Sequence, residues 1–147
     1  QPPYDEMSTD ILEAVRGADA VICILPLTQE TRGIIDEKVF AAMKGALFVN
    51  VGRGAVAEEK ALYDALKSGR LKGAAIDTWY TYPKPGETSS APATYPIHKL
   101  HNVLLSPHLG GYTPKAVAAS VREVFQKTDA YLRSGHFPEE VDLEKEY

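Results

Sequence analysis

Three residues in this 147-residue chain combine reactive side chains with neighbours that would leave them accessible. Arg53 stands between Gly52 and Gly54, so no adjacent side chain shields its guanidinium. That planar fork can take a carboxylate through two parallel hydrogen bonds. Asp77 ends the apolar run GAAID at 73–77, where a carboxylate can accept from a ligand amide or fix a loop. His108 follows Pro107 and precedes the pair Gly110 and Gly111, a setting in which an imidazole can work as acid or base near neutral pH. Together these types suit proton transfer on a small carboxylate. Taken singly, each has an ordinary structural reading: a surface arginine at a helix start, an aspartate closing a strand, a histidine packed in a loop. His98, His101 and His136 share no ligand spacing with His108, and Cys23 is the only cysteine and sits in an apolar run. Neither a zinc site, a thiolate nucleophile nor an intramolecular disulfide is expected.

The elements that would position these residues alternate in type. AVICIL at 20–25, ALFVNV at 46–51, GAAID at 73–77 and VLLS at 103–106 are short apolar runs without polar alternation, which predicts strands buried on both faces. Residues 11–17 are amphipathic, and 36–44 carries Val39, Phe40 and Met43 on one side of a helix closed by Gly45. Residues 57–67 read as a strong helix ended by Ser68 and Gly69, and 114–132 as a long final helix with Pro114 in its first turn. Strands and helices in this order predict βαβ units: an α/β fold with a parallel sheet and helices on both of its faces. In such sheets ligands gather beyond the carboxyl ends of the strands. Arg53, Asp77, His108 and the polar turn at 26–31 all fall there. Residues 81–101, with Pro83, Pro85, Pro92 and Pro96, form a connection long enough to expect a function for it.

Composition bounds the partners. With 44% hydrophobic and 24% charged residues the chain is ordinary globular material for one domain. A net charge of −4 argues against nucleic acid and anionic membrane surfaces. No apolar run approaches the roughly 20 residues of a membrane span. The amino terminus lacks a signal-peptide pattern and the single cysteine favours a reducing compartment, so a cytoplasmic protein is expected. The chain begins with Gln1, which suggests a cut or processed start. No G-x-G-x-x-G follows a strand and no P-loop lysine motif occurs, so a bound dinucleotide would need its pyrophosphate cradle from residues outside this chain.

In order along the chain, ADAVI at 18–22 with PLTQET at 26–31, MKGALFVNVGRGAV at 43–56, ALYDALKSGRLKGAAID at 61–77 and NVLLSPHLGG at 102–111 resemble the D-isomer-specific 2-hydroxyacid dehydrogenases. That family includes phosphoglycerate, glyoxylate/hydroxypyruvate, formate and phosphite dehydrogenases. The resemblance runs from about residue 18 to residue 135. It implies a Rossmann-type sheet and hydride transfer between NAD, or else NADP, and a small 2-hydroxy or 2-oxo acid. Arg53 matches the arginine that binds the substrate carboxylate, and His108 the acid/base that protonates the carbonyl oxygen. Leu25, Pro26, Val51, Asp77, His108, Gly110 and Gly111 match positions along the cofactor.

The resemblance also implies two departures. Where the family usually places a glutamate that hydrogen-bonds the histidine, this chain has Tyr82, and a neutral phenol cannot supply that charge unless Glu87 or another carboxylate substitutes. Formate dehydrogenases carry glutamine there within D-x-W-x-x-x-P-x-P, an outline that DTWYTYPKP at 77–85 fits, although they usually follow the histidine with Ser-Gly rather than Gly110-Gly111. Formate oxidation is thus an alternative activity, and a non-catalytic NAD(H)-sensing interaction module a second alternative. In extent, the family's substrate domain, glycine-rich turn and cofactor-selecting acid all precede this stretch. Residues 1–135 are therefore expected to be the carboxyl-terminal part of the cofactor domain with its returning helix, and 136–147 an acidic tail. The expected partners are a small carboxylate substrate, the amino-terminal remainder of the same enzyme, and a second copy in a homodimer.

Overall fold

The computed structural model describes residues 5–137 and divides into two compact units, one ending at Pro107 and the other beginning at His108. The first unit is built on four parallel strands lying side by side in chain order: β1 (Ala20–Cys23), β2 (Leu47–Asn50), β3 (Gly73–Ile76) and β4 (Val103–Leu105). Helix α1 (Ile11–Val15) precedes β1, α2 (Glu37–Ala42) joins β1 to β2, and α3 (Glu59–Lys67) joins β2 to β3. The parallel α/β class expected from the alternation of runs is the one observed.

The helix starts follow local chemistry. Asp10 and Asp36 each accept from two otherwise unpaired N–H groups, of Leu12 and Glu13 in α1 and of Lys38 and Val39 in α2. Helix α3 begins two residues later than the expected residue 57. The backbone of Ala57 is drawn instead into a parallel bridge with Ile35, continued by the Glu58 N–H donating to the Ile35 carbonyl at 3.0 Å. Gly69 at φ 72° then turns the chain out of α3 in the left-handed region that glycine tolerates.

One face of the sheet is packed and the other is bare, which corrects the expectation of strands buried on both sides. Cys23, Phe48, Asn50, Ala74 and Ile76 point into the core with Val39, Phe40, Leu62 and Leu66 from α2 and α3, and Phe40 meets Phe48 edge to face at 5.3 Å. Fully burying such a side chain contributes about 1.5–3 kcal/mol. The residues between them face the other way: Ile22 is 63% and Leu104 73% exposed. The cause is winding direction. Parallel crossovers are right-handed, and strands that advance steadily in one direction put successive crossover helices on the same face. Helices on both faces require a reversal of strand order, and the order β1-β2-β3-β4 contains none.

The second unit is dominated by α4 (Pro114–Ser134). Thr113 caps it by accepting from Ala116, Pro114 occupies its first turn, and Gly135 at φ 74° closes it. The helix buries none of its residues, and Val117, Val121, Val124 and Phe125 on it are exposed. The tail expected over 136–147 lies, from residue 138 on, outside the described residues.

Candidate functional site

The carboxyl ends of the strands in the first unit are tied to one another by a small set of polar contacts and two glycines. At the exit of β2, Asn50 is 1% exposed. Its Oδ1 accepts from the Gly52 N–H and its Nδ2 donates to the Arg53 carbonyl, both at 3.1 Å. A buried amide thus fixes the turn that carries Arg53, whose own side chain is exposed and whose Nη1 donates to the Gly52 carbonyl at 2.7 Å.

The flanking glycines do more than bare the arginine. A Cβ on Gly52 would lie 2.6 Å from the Leu25 carbonyl oxygen at the exit of β1, and one on Gly54 2.5 Å from both the carbonyl carbon and oxygen of Trp79 beyond β3. Only residues without a Cβ let these backbones approach so closely. Leu25, Val51, Arg53 and Asp77 are therefore gathered on one rim. Pro26 opens the adjoining turn, where its carbonyl accepts from the Thr31 hydroxyl at 2.7 Å and Thr28 and Thr31 bond each other through backbone and side chain.

At the exit of β3, Asp77 extends the ladder by donating its N–H to the Asn50 carbonyl, and its side chain is buried. Ser106, just past β4, donates its hydroxyl to Asp77 Oδ1 at 2.5 Å. The Ser106 N–H donates to the Ile76 carbonyl, and its own carbonyl accepts from the Trp79 indole Nε1–H, both at 2.9 Å. Tyr82, in the position where an acid was expected, accepts the Trp79 backbone N–H on its phenol oxygen at 2.9 Å. Next to Asp77 and Ser106, on the bare face of the sheet, a cavity of about 70 Å³ has Val49, Val51, Ala75 and Leu104 in its lining. A larger cavity of about 470 Å³ opens between Trp79, Tyr82, Pro92, Leu105 and Pro107.

Burial pushes the Cys23 thiol up from its ordinary value, in keeping with an unreactive core residue. Burial likewise raises Tyr80, with Glu59 adding to the effect, and the Tyr80 hydroxyl donates to the Ala57 carbonyl at 2.9 Å. His108, Gly110 and Gly111 belong to the second unit. There His108 is exposed and has φ 60°, the only non-glycine residue with positive φ among the described residues. Such a conformation is uncommon for a residue with a Cβ. Three contributors escaped the reading of site residues from sequence: Asn50, Ser106 and Trp79.

The rim has the chemistry to take one end of a dinucleotide. A buried, oriented carboxylate beside an apolar floor of Val51, Ala75 and Leu104 suits a flat ring bearing an amide N–H. The residues fit that end and not the phosphates, since this chain has no glycine-rich turn after a strand.

Comparison with known proteins agrees with this fold. Residues 3–110 match the family described as D-isomer specific 2-hydroxyacid dehydrogenase, NAD binding domain. The chain is 37% identical over 129 residues to D-3-phosphoglycerate dehydrogenase of Methanocaldococcus jannaschii, covering 87% of this chain and 23% of that protein. It is 32% identical to mitochondrial formate dehydrogenase of Solanum tuberosum, covering 89% of this chain and 33% of that protein. A D-isomer specific 2-hydroxyacid dehydrogenase from Xanthobacter autotrophicus Py2, solved with NADPH and MES, superposes with a TM-score of 0.70 at 32% identity over 93% of this chain and 53% of that one. The chain spans 23 to 40% of the length of the first curated relatives it matches.

Proposed function

From the premise that this chain belongs to the D-isomer specific 2-hydroxyacid dehydrogenases, matching their NAD-binding domain, we propose that it supplies the nicotinamide-facing part of a dehydrogenase acting on a small 2-hydroxy or 2-oxo acid. The observation that carries this reading is the buried Asp77 carboxylate, held by Ser106 beside an apolar floor and one strand exit from the braced Arg53 turn. The nicotinamide, when bound, donates or accepts the hydride. Asp77 takes the amide of the ring and so sets which way the ring lies. Arg53 binds the substrate carboxylate and holds the carbonyl in register. His108 protonates the carbonyl oxygen during reduction and takes the proton back during oxidation. Gly110 and Gly111 let the backbone after His108 pass close to the cofactor.

The bare face of the sheet is covered, in this reading, by the preceding part of the same protein, which also brings the phosphate cradle and the choice between NAD and NADP. Exposed Ile22, Leu47 and Leu104 form the apolar surface such a partner would bury. A homodimer in the cytosol completes the proposal, the first supported by the resemblance and the second by the lone, reduced and buried Cys23.

Formate oxidation is the second reading, favoured by Tyr82. Its phenol oxygen is engaged by the Trp79 N–H and it brings no carboxylate to His108. Formate gives up a hydride and leaves as carbon dioxide, so no proton need be moved from a substrate hydroxyl. The test joins the chain to the preceding half of its cofactor domain and substrate domain. It follows NADH oxidation with glyoxylate, hydroxypyruvate and pyruvate, and NAD reduction with formate. Reduction of a 2-oxo acid that is lost in His108→Ala supports the first reading, and turnover of formate alone supports the second. NADH binding with no turnover of any substrate would overturn both in favour of a sensing module.

A further inference from the structure

We infer that Ser106 is a positioning residue for the cofactor carboxylate Asp77: it locks that side chain in one rotamer while Trp79 locks Ser106 in turn. The inference rests on the reading above that Asp77 meets the nicotinamide amide. Its structural half stands on contacts alone. Asp77 and Ser106 are 29 residues apart and lie at the ends of adjacent strands. The Ser106 hydroxyl donates to Asp77 Oδ1 at 2.5 Å. Ser106 cannot drift, because its N–H is held by the Ile76 carbonyl and its carbonyl by the Trp79 indole, each at 2.9 Å.

A carboxylate can turn about two side-chain bonds, and the Ser106 hydrogen bond to Oδ1 restricts that freedom to one orientation. Fixing that orientation before the ligand arrives removes an ordering cost from binding. Threonine keeps the hydroxyl, whereas alanine keeps the fold and removes only the donor.

The experiment has two readouts. The first, without ligand, measures the Asp77 Hα–Hβ couplings in the wild type, Ser106→Ala and Ser106→Thr, with the single Trp79 indole N–H resonance as a check that the fold is kept. Wild type and Ser106→Thr are expected to show one Asp77 rotamer and Ser106→Ala an average. The second, with each variant joined to the preceding half of its cofactor domain and its substrate domain, titrates NADH and follows chemical shifts at the rim, with affinity expected to fall about tenfold in Ser106→Ala and to recover in Ser106→Thr. If Asp77 keeps one rotamer in Ser106→Ala, the inference is overturned whatever NADH does. It is equally overturned if the rotamer averages while NADH binds Ser106→Ala as well as wild type. If the couplings behave as expected but NADH moves no wild-type shift, the cofactor reading falls and the rotamer lock stands.

Discussion

Replacing Gly54 by alanine tests how tightly the strand exits are tied. The new Cβ would lie 2.5 Å from the carbonyl carbon and oxygen of Trp79, about 0.9 Å short of ordinary contact. Both obstacles are backbone, so neither can move aside as a flexible side chain would. Gly54 has no positive φ, and the substitution therefore probes space and not backbone conformation. Overpacking of this kind costs about 1–3 kcal/mol. Obstacles that are both backbone put the cost at the upper end of that range, and the about 0.4–1 kcal/mol returned by restricting the unfolded chain leaves a net loss of about 2–2.6 kcal/mol. The assay is urea unfolding at constant slope, followed by the fluorescence of the single tryptophan, Trp79, which sits at the point of collision. A lower midpoint together with a shifted native emission is expected. An unchanged or raised midpoint with native emission intact would refute the close packing of the Arg53 turn on the Trp79 backbone.

Asn50→Ala leaves the Gly52 N–H and the Arg53 carbonyl without their buried partner, and should cost about 2–4 kcal/mol in chemical denaturation. A loss under about 0.5 kcal/mol would mean that water replaces the amide readily. Tyr80→Phe addresses pH. Burial holds the folded phenol above its unfolded pKa of about 10, so its stabilisation is present below that pH and is lost as pH rises beyond it. Wild type should therefore lose more stability than Tyr80→Phe between about pH 9 and 11, and parallel losses would contradict the burial of this hydroxyl. In the joined enzyme, Tyr82→Glu should raise 2-oxo acid reduction relative to formate oxidation, as a carboxylate can support a protonated His108. An unchanged ratio would mean that Tyr82 does not control the proton step.

The parts of the site legible in sequence were those whose signal is local. Apolar runs ending at Gly52-Arg53-Gly54, Asp77 and Ser106-Pro107-His108 place the chemistry at strand ends, and that placement holds for the residues of the first unit. The bare sheet face was not legible. Ile22 and Leu104 are as apolar as Phe48 and Ile76, because the run records that a face is meant to be covered and not which element covers it. The direction of winding, a property of strand order, decides that. Ser106 and Trp79 escaped because their partners are distant in sequence, Ser106 reaching Asp77 across 29 positions. Asn50 escaped for the opposite reason. It bonds the backbone of its own turn, and a single polar residue in ALFVNV does not reveal whether it faces a ligand or braces a loop.

In the proposed function the rim formed by the exits of β1 to β4 receives the nicotinamide end of a dinucleotide. The most direct measurement is a backbone and side-chain shift map of this chain, joined to the preceding half of its cofactor domain and its substrate domain, titrated with NADH. Shifts concentrated at Leu25, Val51, Asp77, Trp79 and Ser106, and weakened in Asp77→Ala, are expected. Shifts confined to the helical face around Leu62 and Val39, or none at millimolar NADH, would contradict it.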